Sequence, residues 1–197
     1  MSIACFLLKN HLMSNDAEQF AIFRLAPTRP LPDYAFVPGR FPHPVSNPQG
    51  HSYNRVREAI VPPQPQEWLH CPAYLYGIDL FNHGYYWEAH ETWEDIWHAC
   101  GRTGEMADFM KGMIQLSVAG VKVREGIPKG VRRHAERAAE LFEQTNSRLA
   151  GKSPCYMGLD LNELIAFSGE IAVNAYAIKA DPNQRVEVVF SKVLQPR

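Results

Sequence analysis

The segment EAHETWEDIW, residues 88–97, combines the residue types of a metal site with the spacing of one helix face. His90 and Glu94 are four residues apart, so on an α-helix their side chains are neighbours. Glu91 follows His90 directly, as the general-base glutamate does in the zinc-protease helix H-E-x-x-H. The spacing therefore predicts that His90 and Glu94 are ligands of a divalent ion, Zn²⁺ or Mn²⁺. Glu91 is then the catalytic residue that moves a proton of metal-activated water.

Two ligands leave such a site incomplete, because catalytic zinc sites usually have three protein ligands. We expect His134, on the fourth predicted helix, to supply the third. The other candidates are His98 and His83, with His43 and His51 in a proline-rich segment.

A structural interpretation without metal competes with this one. Projected at about 100° per residue, His90, Glu91 and Glu94 line the border of an apolar helix face. The same projection points a second set of side chains to water: Glu88, Thr92 and Asp95. The three border residues therefore share a dry, buried polar pocket, which either holds the metal or only fixes the packing.

The third predicted helix offers partners for such a pocket. This helix is apolar around most of its circumference. Its polar residues Lys111, Gln115 and Lys122 lie along one stripe, so they require partners inside the protein. Glu91 and Glu94 would then pair with lysines in a buried network. We assign to the pocket and its polar network Glu88, Gln115, Lys111, Lys122 and Trp97.

Glycine and proline positions predict the elements that hold these residues. After Pro72 the sequence favours five helices with short connections, hence antiparallel neighbours. Gly84 ends the first, residues 85–100 form the second, and Gly126 ends the third. Pro128 suits the first turn of the fourth, and Asp160 with Glu163 forms a capping box for the fifth. The prediction is an all-α antiparallel bundle of four to five helices, followed by a strand or extended cover at residues 186–190.

A proline-rich segment precedes the bundle. Ten of the fifteen prolines lie between Pro27 and Pro65, which excludes a long helix or central strand there. Aromatic residues punctuate the same segment, unlike a disordered tail. We expect an extended arm over residues 1–69 that packs on a bundle of residues 70–182, followed by a tail of residues 183–197. Residues 1–12 could be an over-called start.

Composition limits the function. The 197 residues are 46% hydrophobic with a net charge of −1, which gives no nucleic-acid footprint. No stretch approaches the roughly 20 apolar residues of a membrane span, and no signal peptide is recognisable, so we expect a cytoplasmic protein. Four separated cysteines form no C-x-x-C motif. The composition is compatible with a homo-oligomer, and no motif identifies a small-molecule substrate.

The phrase LFNHGYYWEAHETWEDIW closely resembles the hallmark of domain-of-unknown-function family 309, F-N-x-G-x-Y-x-E-A-H-E-x-x-E-x-x-W. The matching positions are Phe81, Asn82, Gly84, Tyr86, Glu88, Ala89, His90, Glu91, Glu94 and Trp97. GMIQLSVAGVKVREG resembles the second block of the family. The resemblance implies an all-helical fold and a metal-dependent hydrolase. Many members carry histidine near the position of Val121 and Lys122, where this chain has none, which favours a Glu–Lys pair instead.

Two hypotheses follow. The first is a metal-dependent hydrolase acting on an ester, amide or phosphate centre. The second is a non-enzymatic helical interaction or scaffold module, because the Gly turn followed by Tyr and Ala also resembles one tetratricopeptide helix pair.

Overall fold

The computed structural model describes residues 22–56, 59–149 and 153–197, and these residues are mostly helical. After a 3-10 helix at Pro65–His70, the α-helices are α1 (Pro72–Asn82), α2 (Tyr86–Ala99), α3 (Glu105–Glu125), α4 (Pro128–Arg148) and α5 (Leu161–Val173). A short antiparallel hairpin, β1 (Cys155–Tyr156) and β2 (Leu159–Asp160), precedes α5. The predicted all-α fold is confirmed. The start of the chain, residues 1–12, lies outside the described residues.

The α3–α4 turn forms as the glycine and proline signals predict. Gly126 ends α3 with a φ of +73°, a left-handed conformation that favours glycine. The Ile127 amide then donates to the Lys122 carbonyl, 2.9 Å away, and Pro128 stands in the first turn of α4. This tight turn makes α3 and α4 antiparallel neighbours.

Asp160 caps α5, but only half of the predicted capping box forms. Its Oδ1 accepts from the amides of Asn162 and Glu163, at 2.8 and 3.1 Å. The Glu163 carboxylate accepts instead from the Lys192 ammonium, 2.8 Å away on the C-terminal tail. Glu163 therefore ties the tail to α5.

Helix α3 runs through the centre of the bundle, between α2 and α4. Its glycines permit the close approach of aromatic rings from both neighbours. A Cβ at Gly120 would lie 2.5 Å from the Tyr86 ring of α2, and one at Gly112 would lie 2.6 Å from the Phe142 ring of α4. Within the described residues, no helix has both the length and the hydropathy to cross a membrane.

The proline-rich arm lies on the bundle and is held by buried polar anchors. Asp79 of α1 is fully buried and accepts from the Arg24 guanidinium and from the amides of Leu25 and Ala26, at 3.0, 2.7 and 2.8 Å. Further along, residues 34–37 are buried. The arm therefore packs as an ordered cover in its described part.

The C-terminal tail is an extended cover without a strand at residues 186–190. Asn82 anchors it through two buried hydrogen bonds, donating to the Leu194 carbonyl at 2.9 Å and accepting from the Leu194 amide at 2.8 Å. The Tyr86 hydroxyl accepts from the Val189 amide at 2.9 Å.

Candidate metal centre

His90, Glu91 and Glu94 converge on the outer edge of α2. One ring nitrogen of His90 and one oxygen from each glutamate lie within 4.8 Å of one another. His90 Nε2 is 3.7 Å from Glu94 Oε2, and His90 Nδ1 is 3.9 Å from Glu91 Oε1. Two ligands of one zinc ion can be at most about 4.2 Å apart, twice a bond of about 2.1 Å. Small side-chain rotations would therefore let His90 Nε2 and Glu94 Oε2 reach one ion, with Glu91 beside it.

The His90 ring is oriented by its surroundings. Its Nδ1 lies 3.2 Å from the Trp87 carbonyl, a contact that places the ring proton on Nδ1. The Nε2 lone pair then faces Glu94. A metal-ligating histidine usually donates its second ring N–H to a carbonyl or carboxylate, so this arrangement suits coordination through Nε2.

The site is half-exposed, whereas the sequence suggested a dry, buried pocket. The side chains of His90, Glu91 and Glu94 are 15%, 29% and 32% exposed. The outer side of α2 is open at this point because the arm covers the neighbouring Trp87 instead, with Phe36 packed edge-on against its ring. A metal bound here would keep positions for water, as catalytic rather than structural sites do.

A cleft of about 440 Å³ adjoins the site between the arm, α1 and α2. From α2 its wall includes Glu88, Glu91, Thr92 and Asp95, and neither His90 nor Glu94 borders it. Glu91 therefore lies between the cleft and the other two residues of the cluster.

His134 does not join this cluster. Its Nδ1 lies 2.7 Å from the Gln115 Oε1 of α3, and its Nε2 lies 3.1 Å from an Arg133 nitrogen. Burial, together with the positive charges of Arg133 and Lys122, lowers the pKa of His134 to about 4. Helix α3 lies between α2 and α4, which explains why two histidines on those helices do not meet.

The lysines of the predicted network are engaged elsewhere. The Lys122 ammonium pairs with Glu125, one turn further along α3. The Lys111 ammonium lies 4.1 Å from the centre of the Trp97 ring. The buried ion-pair network expected with Glu91 and Glu94 therefore does not form with these lysines.

Glu88 is buried, although the helical projection pointed it to water. It is 7% exposed, and its Oε1 accepts from the Phe36 amide at 2.9 Å and contacts His51 Nε2 at 3.0 Å. The projection was wrong because it considers the helix alone, whereas the arm covers this face of α2. Glu88 and His51 thus hold the arm.

The remaining histidine candidates for a third ligand also lie outside the cluster. His83 contacts the Asp79 carbonyl through Nδ1, at 2.7 Å, and His98 is exposed and accepts from Arg102 at 2.9 Å. The His43 ring packs edge-on against the Trp87 ring, which also packs against His90. Among the described residues, the third member of the cluster is Glu91 itself.

Sequence reasoning missed two buried anchors, Asp79 and Asn82. The signal for Asp79 was a lone charge in the apolar run LYGIDLF, which indicates a paired buried carboxylate. Asn82 precedes a Gly turn and resembles an ordinary helix-ending residue. Its partner, the backbone of Leu194, is 112 residues away and leaves no local signal.

Comparison with known proteins gives a family match over part of the chain. No curated protein matches the chain. The family model described as Domain of unknown function (DUF309) matches residues 74–134, which extend from α1 through α2 and α3 into α4. The resemblance inferred from the motif is thereby confirmed over residues 74–134.

Proposed function

We propose that His90 and Glu94 hold a divalent ion on the edge of α2, and that the protein is a metal-dependent hydrolase with Glu91 as its general base. The observation that carries the proposal is that one ring nitrogen of His90 and one oxygen each of Glu91 and Glu94 lie within 4.8 Å of one another, while His90 Nδ1 contacts the Trp87 carbonyl. One imidazole with carboxylates suits Zn²⁺ or Mn²⁺.

The position of each residue supports its role. The Trp87 carbonyl keeps the proton on His90 Nδ1 and presents Nε2 toward Glu94. A bound divalent ion would supply Lewis acidity and lower the pKa of water at the site. Glu91 borders both the cluster and the cleft, so its carboxylate can accept a proton from water and return it to a leaving group in the cleft.

The test compares metal content and hydrolysis in matched variants. Purified protein treated with a chelator and reloaded with Zn²⁺ or Mn²⁺ is assayed on chromogenic esters and phosphates. His90→Ala should lose both the ion and turnover. Glu91→Gln should keep the ion and lose about 10²- to 10⁴-fold in rate. His98→Ala removes an exposed histidine from the same helix and should change neither.

Two results would contradict the proposal. Equal metal content in His90→Ala and wild type would show that the ion does not bind at this site. Unchanged hydrolysis in Glu91→Gln, with the metal retained, would show that Glu91 is not the general base.

A further inference from the structure

A second concave site lies where the α3–α4 turn meets the segment that follows α5. It encloses about 210 Å³ and shares no lining residue with the cleft beside α2. Four of its lining side chains are cationic, and none is a carboxylate: Arg40, Lys122, Arg124 and Lys179. A pocket that concentrates one sign of charge attracts ligands of the other sign.

Arg124 gives this pocket a buried and incompletely satisfied donor. The residue is 2% exposed, and its Nη2 donates to the Gln184 carbonyl. Within the part of the chain that the structure describes, Nε and Nη1 have no hydrogen-bond partner, and the Glu187 carboxylate is 3.7 Å from Nε. Buried donors without partners are costly, so they commonly mark a place where another group binds.

The positive charge around the pocket is only partly neutralised. Lys122 pairs with Glu125, and Glu187 lies near Arg124. Arg40 and Lys179 are exposed and form no ion pair with the described part of the chain. Burial lowers the pKa of Arg124, the Glu187 carboxylate opposes this effect, and the positive charge of Arg40 adds to it.

The rest of the lining is apolar and sets the size of the ligand. It comes from the α3–α4 turn and from residues 175–182, and includes Ile127, Val131, Ala175, Ile178 and Pro182. A volume of about 210 Å³ lies below the range of roughly 300–1,000 Å³ typical for drug-sized ligands. The lining therefore fits a small molecule with one multiply charged anionic group and a short apolar part.

We propose that this pocket binds a small phosphate monoester, with Arg40, Arg124 and Lys179 around the phosphate and the apolar wall against its organic group. Arginine forks and lysine ammonium groups are the side chains that proteins use for phosphate. Helix α4 adds to this preference because its N-terminus lies at the pocket and carries no side-chain cap. This site is separate from the metal centre and does not depend on it.

The test uses butyl phosphate, inorganic phosphate and butanol as probes of the full-length protein by calorimetry, at a constant ionic strength of about 0.15 M. Butyl phosphate should bind saturably, inorganic phosphate more weakly, and butanol not at all. The double variant Arg40→Gln/Lys179→Gln should bind butyl phosphate at least tenfold more weakly. Both substituted residues are exposed, so the fold should persist.

Lys129→Gln is the matched control. Lys129 is exposed on the first turn of α4, close to the pocket in sequence but absent from its lining. Its substitution should change the affinity by less than about twofold, since an exposed charge outside the site is screened. The proposal is overturned if neither phosphate binds saturably, if butanol binds as well as butyl phosphate, or if the double variant and Lys129→Gln behave alike.

Discussion

Replacing Asp79 with alanine should release the arm from the bundle. The Asp79 carboxylate is fully buried and receives three donors from the arm, at 2.7 to 3.0 Å. Hydrogen bonds to a charged group contribute about 1.5–3 kcal/mol each. Their full sum overstates the loss, because the Arg24 side chain is 21% exposed and can regain water. We therefore expect about 3–5 kcal/mol, the range for breaking a buried pair.

Limited trypsin digestion under native conditions measures this loss, since Arg24 and Arg40, each followed by a residue other than proline, place cleavage sites on the arm. When opening is fast relative to cleavage, the rate follows the population of the open form. A loss of 3–5 kcal/mol then accelerates cleavage by about 10²- to 10⁴-fold. Asp79→Asn should be intermediate, because one amide nitrogen would face a donor. Glu143→Ala, at an exposed position on α4, is the control. Cleavage of Asp79→Ala within threefold of wild type would refute the anchoring role.

Two further substitutions test the interior of the bundle. The pKa of His134 is about 4 in the folded protein and about 6.5 in the unfolded chain. The folded state therefore favours the neutral imidazole, and this contribution to stability is complete above pH 6.5 and disappears as the pH falls toward 4. Between pH 7.5 and 4.5, His134→Gln should lose about 1–2 kcal/mol less unfolding free energy than wild type, a range already reduced for the partial exposure of His134. Urea unfolding measures this difference, and an identical pH dependence in both proteins would contradict the prediction. Gly120→Ala should destabilise by about 1–3 kcal/mol because its Cβ meets the Tyr86 ring at 2.5 Å. Gly169→Ala on α5, with nothing within 4 Å, should stabilise slightly in the same thermal melt, and equal effects would argue against the close approach.

The helix ends were predictable because their determinants are local. Gly126 and Pro128 act within one turn, and Asp160 caps α5 through amides two and three residues away. These residues therefore gave the α3–α4 turn and the start of α5 directly. The convergence of His90, Glu91 and Glu94 was predictable for the same reason, since all three lie within two turns of one helix.

The long-range partners were not predictable. Glu88 depends on Phe36 and His51 of the arm, 52 and 37 residues away. Helical projection indicates which way a side chain points, but it does not show what covers it. Lys122 was expected against the α2 carboxylates because charge complementarity favoured them, whereas the adjacent turn offered Glu125 at lower entropic cost. Lys122 therefore pairs with Glu125 on its own helix and not with the more distant α2 carboxylates that the polar stripe on α3 suggested.

X-ray absorption spectroscopy of the zinc-loaded protein, without an affinity tag, tests the metal centre most directly. Zinc bound at His90 and Glu94 should show one imidazole nitrogen at about 2.0–2.1 Å and carboxylate or water oxygens at about 2.0–2.2 Å, and the imidazole signal should be lost in His90→Ala. Sulfur at about 2.3 Å, two or more imidazoles, or a spectrum unchanged by His90→Ala would place the zinc at other residues and contradict the account.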